Sequence, residues 1–422
     1  MSSNEKYDWI IVGGGIAGIT TAEILTREGL SVLLLEKNNT LASETTKVFH
    51  EWLHTGSLYT LAPDNLNTTR YLLGAIDDLL AYYQSFPGMN LKPTNSGLLI
   101  SDKGWMNNQN IEMHYRNRRL NPVWLAMVSR SINMVEKISS HDWLRRQAGS
   151  ICGEARLIKS IWVTKIPNLI KSNQKFTKVE SADVTMNSRE LITDILDQAI
   201  SQGLEIRTGE NVTSIDNTES GAFVYSNNNK YNCNKTLVCA PDLIKTLFNK
   251  KIKISYAPIA VVSCLPEDAC NFVELDYHTK NCINLLTKGG GIGLAGGISV
   301  KNESQVDSYM DYVVKQHKKK YPSIKLIDRY VGLKKEIVSK SQDRNYLYNI
   351  EQEGSNTWSL VLGKFTLAFS SAPEFFRRVY GWNPKKVIKT NKFNEINSYI
   401  SKTSWQEIVD QHNKGEINNG ND

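Results

Sequence analysis

The stretch YDWIIVGGGIAGITTAEILTREGLSVLLLEK, Tyr7 to Lys37, decides the fold of this chain. An apolar run from Trp9 to Val12 meets a turn carrying Gly13, Gly15 and Gly18. A helical segment follows, Gly29 breaks it, and a second apolar run from Val32 to Leu35 ends on Glu36 and Lys37. Each glycine has its own task. Gly13 allows the tight strand-to-helix turn, Gly15 lets the backbone approach a pyrophosphate, and Gly18 lets the helix pack closely on the sheet. Free N–H groups at the helix start, around Ile16 and Ala17, face the phosphates with the favourable end of the helix dipole. Glu36 falls a little over ~20 residues downstream, where a carboxylate can accept hydrogen bonds from a ribose. With both flanking strands, the helix and the terminal acid present, the unit reads as a site for an adenine dinucleotide. A glycine-rich turn without ligand is the alternative.

Working outward, 422 residues exceed one ordinary core and suggest two intimately connected domains. Hydrophobic content of 41% and charged content of 22% describe a globular protein. No apolar run approaches the ~18 residues of a membrane span, and no basic-then-apolar leader opens the chain. Six cysteines (Cys152, Cys233, Cys239, Cys264, Cys270, Cys282) lack CxxC spacing. They read as reduced thiols of a cytoplasmic protein, with neither a metal site nor a disulfide framework. The net charge of +7 is densest at Lys315 to Lys320, KQHKKK, before Pro322. Cations at a helix C-terminus suit the macrodipole, so a solvated helix end is expected, with peripheral membrane contact the lesser reading. Nucleic acid is not expected as a partner, because no aromatic stacking platform accompanies the lysines.

Further along, residues 66–84 and Met186 to Gln202 carry apolar positions at helical spacing, the latter capped by Asn187 or Ser188 and ended by Gly203. Ser96 to Ser101 reads as a short strand after a loop from Pro87 to Pro93. Short strands are expected at Leu204 to Arg207, Val212 to Ile215, Ala222 to Tyr225 and Thr236 to Val238. Residues 254–300 alternate like an antiparallel sheet. Within them GGGIGLAGGIS, from Gly289, reads as strand and tight turn rather than a second nucleotide loop, since no suitable helix follows. Helices are expected over Gln305 to Lys319 and Ala372 to Tyr380, with an amphipathic remnant around Trp405 to Val409.

The flank of Glu36 narrows the cofactor. Residues 50–60 read HEWLHTGSLYT, with Pro63 and Leu66 downstream. This resembles the flavoproteins of the D-amino-acid oxidase superfamily, such as glycine oxidases, glycerol-3-phosphate dehydrogenases and 2-hydroxyglutarate oxidases. The resemblance implies FAD, with Ser43, Thr45, Thr46, His54, Thr55 and Gly56 along it and Gly56 giving room for the ring. Val212 is the implied adenine contact. The run GKFTLAF is similar to the family's last flavin segment, so Gly363, Lys364, Phe365 and Thr366 would meet the pyrimidine edge of the flavin. One departure is Ala240-Pro241-Asp242, where the family has an Ala-Gly turn. It leaves the backbone contacts at Ala240 open. The implied architecture is α/β: a Rossmann-type FAD-binding domain from 1–100, 183–245 and 346–390, and a mixed α+β substrate domain on an antiparallel sheet from 101–182 and 246–345. Residues 391–422 read as a polar C-terminal tail.

The resemblance implies removal of a hydride from the carbon of a small amine, amino acid or 2-hydroxy acid. A secondary alcohol needs a base for its hydroxyl proton, and an amine must be held unprotonated. His50, His54 and His278 are the candidate bases, His54 foremost. Its alternatives are an orienting or packing histidine and a covalent flavin tether. Lys364, or a backbone N–H beside it, would stabilise negative charge on the ring. Arg329, Lys334, Lys335, Arg344 and Arg377 are candidate carboxylate anchors, and Tyr59, Tyr256 and Tyr330 candidate pocket walls. A flavin-dependent tailoring enzyme or monooxygenase, and a non-catalytic FAD-binding protein, are the competing readings. Substrate identity, electron acceptor and oligomeric state are not legible.

Overall fold

The run Trp9 to Val12 is fully internal because its strand, Lys6–Val12, has a parallel neighbour on each side. Val32–Leu35 pairs along one edge and Lys230–Val238 along the other, so Ile11 stands between Leu34 and Leu237. A strand covered on both faces reads as a continuous apolar run rather than an alternating one. This computed structural model describes residues 6–59, 67–94, 97–99, 104–116, 169–172, 176–227, 229–276, 279, 281–338, 345–386 and 399–415.

The parallel core continues with Glu205–Arg207 beside Val32–Leu35. Lys230–Val238 is long enough to take two partners on its other edge: antiparallel Gly221–Ser226 along its first half and parallel Thr357–Leu362 along its second. Val212–Thr218 and Tyr348–Gln352 complete the eight strands of this sheet among the described residues. The strand Thr357–Leu362 arrives from near the end of the chain, which brings the GKF segment beside the first glycine turn. Helix Ile16–Arg27 is buried along its whole length. It packs on helices Ser188–Ser201 and Ala368–Tyr380 as well as on the sheet. The helix tolerates charge there because Arg27 and Glu23 pair 2.5 Å apart one turn on, and Arg27 also donates to the carbonyls of Tyr82 and Lys385.

A second sheet has nine strands among the described residues, ordered Lys325–Ile337, Ile252–Ser263, Ile292–Gly297, Asn281–Gly289, Phe272–Asp276, Met106–Arg116, Phe176–Met186 and Trp52–Leu53, with Leu169–Ser172 beside Phe176–Met186. It is antiparallel except where Phe272–Asp276 runs parallel to Met106–Arg116. The GGGIGLAGG run is a hairpin: Gly289, Gly290 and Gly291 all take positive φ (82°, 59° and 75°) between two paired strands. Helix Val306–Lys320 follows a single 3-10 turn. Helix Ala368–Tyr380 starts four residues before Ala372, with Pro373 tolerated in its second turn.

Residues 399–415 dock on the body. Leu41 bridges Ile400, and helix Ser404–Asn413 sets Ile408 against Ile259, Val261, Leu294 and Ile327. Its polar residues disguise this, because a short helix on a sheet edge buries only a narrow stripe. The five described cysteines are free thiols, and no described helix is long and apolar enough to cross a membrane.

Candidate functional site

A cleft of about 310 Å³ opens at the carboxyl ends of the parallel strands. This is where doubly wound sheets bind ligands. Gly13, Gly15, Ile16, Ala17, Glu36 and Lys37 line it, and the chain brings Ser43, Thr45, Thr46, Val212 and Ala240 to the same walls. Gly13 has φ +110°, and a Cβ there would press on the backbone of Cys239 and Ala240 at 3.1–3.2 Å. A Cβ at Gly18 would fall 2.0 Å from the Gly13 carbonyl oxygen, so that glycine serves helix-to-turn packing and does not line the cleft. At Gly15 the nearest atom to such a Cβ is Thr46 Oγ1 at 3.4 Å. The backbone there faces open cleft.

Glu36 is buried. Its Oε2 accepts from Gly14 N at 2.7 Å and its Oε1 from the backbone and side chain of Asn38 at 2.9 and 2.8 Å. Oε1 is thus filled by its two donors, while Oε2, with one, keeps a lone-pair site for a ribose hydroxyl. Ile16 N donates to Thr46 Oγ1 at 3.1 Å, while the other first-turn amides lack intrahelical acceptors by the geometry of any helix start. Ser43 Oγ is buried on the cleft with no hydrogen-bond partner among the described residues. Ala240 caps helix Pro241–Phe248, with Pro241 at its first position. The Ala-Pro-Asp departure thus builds a helix start, and Asp242 pairs with Lys335.

A second cavity, about 130 Å³, shares Ile16, Thr45, Thr46, Lys335 and Leu362 with the first. Gly363, Lys364 and Phe365 line it, as do His50, His54 and Lys334. Gly363 is demanded by the backbone: a Cβ there would meet the Asn345 carbonyl at 2.3 Å. Phe365 stacks on Phe49 with centroids 4.2 Å apart, and Lys364 Nζ sits 4.6 Å from the Tyr59 ring and 4.8 Å from that of Tyr346. His54 stacks on Trp52 at 4.4 Å. Burial, then the Lys364 charge, push its imidazole down to about 4, against the opposing pull of Asp183. Burial and Lys334 likewise hold His50 well below the usual histidine range.

Three residues expected along the cofactor lie off both cavities. Thr55 is fully buried and donates from N and Oγ1 to Asp183 Oδ1. Gly56 has φ +104°, and its missing Cβ makes room for Thr69, whose carbonyl would stand 3.0 Å away. Thr366 Oγ1 accepts from the backbone of His54 at 3.1 Å. Among the anchors, Arg329 pairs with Asp311 and Arg377 with Glu374, both away from the cavities, whereas Lys334 and Lys335 line them. Tyr59 packs edge-on to His54, and Tyr256 and Tyr330 lie off the lining. His278 and Arg344 fall outside the described residues. Sequence reasoning missed Phe49, Trp52, Gly332 and Asp183. An acid within an alternating strand gives no sign of what it faces.

Residues 8–332 match the family described as FAD dependent oxidoreductase (DAO). Among solved structures, the chain is similar to the FAD-bound L-alpha-glycerophosphate oxidase of Mycoplasma pneumoniae. That likeness has a TM-score of 0.63 and 18% identity, over 92% of this chain and 98% of that one. It is also similar to the L-amino acid deaminase of Proteus vulgaris (TM-score 0.61, 14% identity, 95% and 96% covered). A third is the L-proline dehydrogenase of P. horikoshii (0.62, 13%, 98% and 100%). A curated relative, the pseudooxynicotine dehydrogenase of a Pseudomonas species, is 44% identical over 45 residues. These are 11% of this chain and span only 9% of that protein's length. The orphaned Ser43 hydroxyl, the open backbone at Gly15 and the buried Glu36 fit FAD.

Proposed function

Because the chain belongs to the DAO family of FAD-dependent oxidoreductases, we propose that it oxidises a small anionic substrate, an amino acid, amine-bearing acid or 2-hydroxy acid. The observation that carries this reading is the continuity of the two cavities through Ile16, Thr45, Thr46, Lys335 and Leu362, with Lys334, Lys364, His50 and His54 at the inner end and one carboxylate, Glu336, which accepts from Asn345 N. FAD, when bound, supplies the hydride acceptor, and the protein supplies orientation and electrostatics.

In this reading the amides of Gly15 and Ala17 hold the pyrophosphate, Glu36 the ribose, and Val212 and Ala240 the adenine end. Gly363 to Phe365 reach the ring edge, where the Lys364 cation favours negative charge. His54 is neutral at rest and takes the proton of the substrate's hydroxyl or ammonium group. Lys334 holds the carboxylate as a point charge.

The experiment is a visible spectrum before and after acid precipitation, then an anaerobic screen of small amino acids, amines and 2-hydroxy acids. Bleaching of the oxidised flavin by a carboxylate-bearing member supports the reading. A colourless protein that takes up no FAD, or a yellow one that no such compound bleaches, overturns it. Glu36→Ala should weaken FAD binding about 10- to 100-fold, the worth of one or two charge-assisted hydrogen bonds. Titration of the apoprotein followed by flavin fluorescence reads this directly, and an unchanged Kd removes the ribose contact. Lys334→Met should raise KM about 10- to 100-fold for carboxylate substrates with a smaller change in kcat, the pattern of lost ground-state binding. An equal loss for a substrate amide lacking the charge would reassign Lys334 to packing.

A further inference from the structure

Asp183 lies on strand Phe176–Met186 and is fully buried against His54. Its Oδ1 accepts from Thr55 N at 2.9 Å and from Thr55 Oγ1; its Oδ2 accepts from Trp52 Nε1 at 2.8 Å. These bonds fix the carboxylate, and one of the donors, Trp52, also holds the imidazole. Trp52 stacks on His54 at 4.4 Å, and the His54 backbone donates to Thr366. Within this clamp, His54 Nδ1 stands 3.6 Å from Asp183 Oδ2. Nδ1 is buried and has no hydrogen-bond partner among the described residues. The distance exceeds a hydrogen bond. Catalytic hydrogen bonds often stand long without substrate and tighten in the complex.

A neutral imidazole carries one proton, and the nitrogen facing a carboxylate keeps it, because two facing lone pairs would repel. We infer that Asp183 is a positioning residue: it holds the His54 proton on Nδ1 and so leaves Nε2 as the acceptor for the substrate's proton. The inference rests on the reading of His54 as the base. When Nε2 takes that proton, Nδ1–H stays with Asp183, and the resulting imidazolium faces a carboxylate. The other charged or titratable groups around the ring are Lys364, Lys334 and His50, with Tyr59 edge-on. The two lysines oppose protonation, which leaves Asp183 as the group that favours it.

The test uses the FAD-loaded protein with 15N-labelled histidine, the His54 signals being assigned by their loss in His54→Gln. The wild type should show the Nδ1–H tautomer. In Asp183→Asn the amide oxygen keeps the two Thr55 donors, so the NH2 takes the Oδ2 place, gives up the single bond from Trp52 Nε1 and donates to Nδ1, which moves the proton to Nε2. Flavin reduction should then slow about 10²- to 10⁴-fold at normal FAD content, as expected for a base in the wrong tautomer. Residual activity should have its acidic limb at lower pH, because the carboxylate no longer favours protonation. Thr55→Val removes one of the donors to Asp183 but keeps its charge, and should leave the tautomer unchanged. An Nε2–H tautomer in the wild type overturns the inference, as does an Asp183→Asn protein with unchanged tautomer and reduction rate. If Asp183→Asn does not fold, the wild-type tautomer decides alone. Full-rate flavin reduction by His54→Ala would instead sink the base reading, whatever tautomer is seen.

Discussion

His54→Ala should slow reduction of the flavin by substrate about 10²- to 10⁴-fold, the usual worth of a positioned general base, while FAD loading stays that of the wild type. The imidazole lines the inner cavity but makes no contact that builds the dinucleotide cleft. Its loss opens space beside Trp52 and Tyr59 without breaking a backbone bond, since the His54 N–H to Thr366 remains. Anaerobic stopped-flow reduction, normalised to bound flavin, reads the effect. The imidazole is held down to about 4, chiefly by burial and Lys364, so it is unprotonated at neutral pH and, on the proposed role, the rate should hold a plateau there. The sign for stability follows from the same shift. A histidine depressed in the folded state contributes stability above its unfolded pKa of about 6.5 and loses it as pH falls towards 4. The variant should therefore unfold less readily on acidification than the wild type, when compared by thermal melts between pH 4 and 7. A colourless variant would move His54 from chemistry to cofactor binding.

Lys288→Met should cost about 3–5 kcal/mol of stability, the range for a buried ion pair that loses one partner. Lys288 Nζ lies 2.6 Å from Glu51 Oε2, and both side chains are 2% exposed. Glu51 also accepts from Ser188 N and Oγ at 3.0 and 2.6 Å and from Trp405 Nε1 at 2.9 Å. One carboxylate therefore ties the loop before His54 to helix Ser188–Ser201, strand Asn281–Gly289 and the C-terminal helix Ser404–Asn413. Burial alone would raise Glu51, but Lys288 and the serine donors overcome it and hold the carboxyl below its ordinary value. In the wild type this contributes stability above the unfolded carboxylate range, lost as pH falls through the depressed value. Without Lys288 the largest opposing influence on burial is gone, so the carboxyl should rise and its contribution should be lost as pH rises instead. The cost should accordingly be largest at pH 7 and shrink towards pH 5. For a chain this long it corresponds to a melting shift of about 3–6 °C. A pH-independent loss of the same size would point to packing around the lysine stem rather than the charge.

Why some of this was legible and some was not follows from the range of the interactions. The glycine turn was legible because its constraints are local: Gly13 needs positive φ and Gly18 needs to lie against the Gly13 carbonyl, five residues away. The helix from Ser188 was legible from its cap, since Asn187 reaches only to Glu190. The Gly289 hairpin announced itself in the same way. By contrast, Thr55 and Gly56 looked like cofactor residues, yet one serves Asp183 and the other makes room for Thr69. Neither partner is visible in the residues that flank them.

The sequence by itself determined a dinucleotide fold, its strand-turn-helix signal, the carboxylate that ends it and the segments that return to it. Periodicity, glycine and capping act over a few residues, so they are written where they act. The tertiary structure decided which lysines reach the inner cavity, that the polar C-terminal segment docks on Glu51, and that Asp183 meets His54. Asp183 is 128 residues from Thr55, and Lys288 is 237 from Glu51. At such separations the pairing depends on strand order and register across a whole sheet, and no local pattern of side chains carries that information.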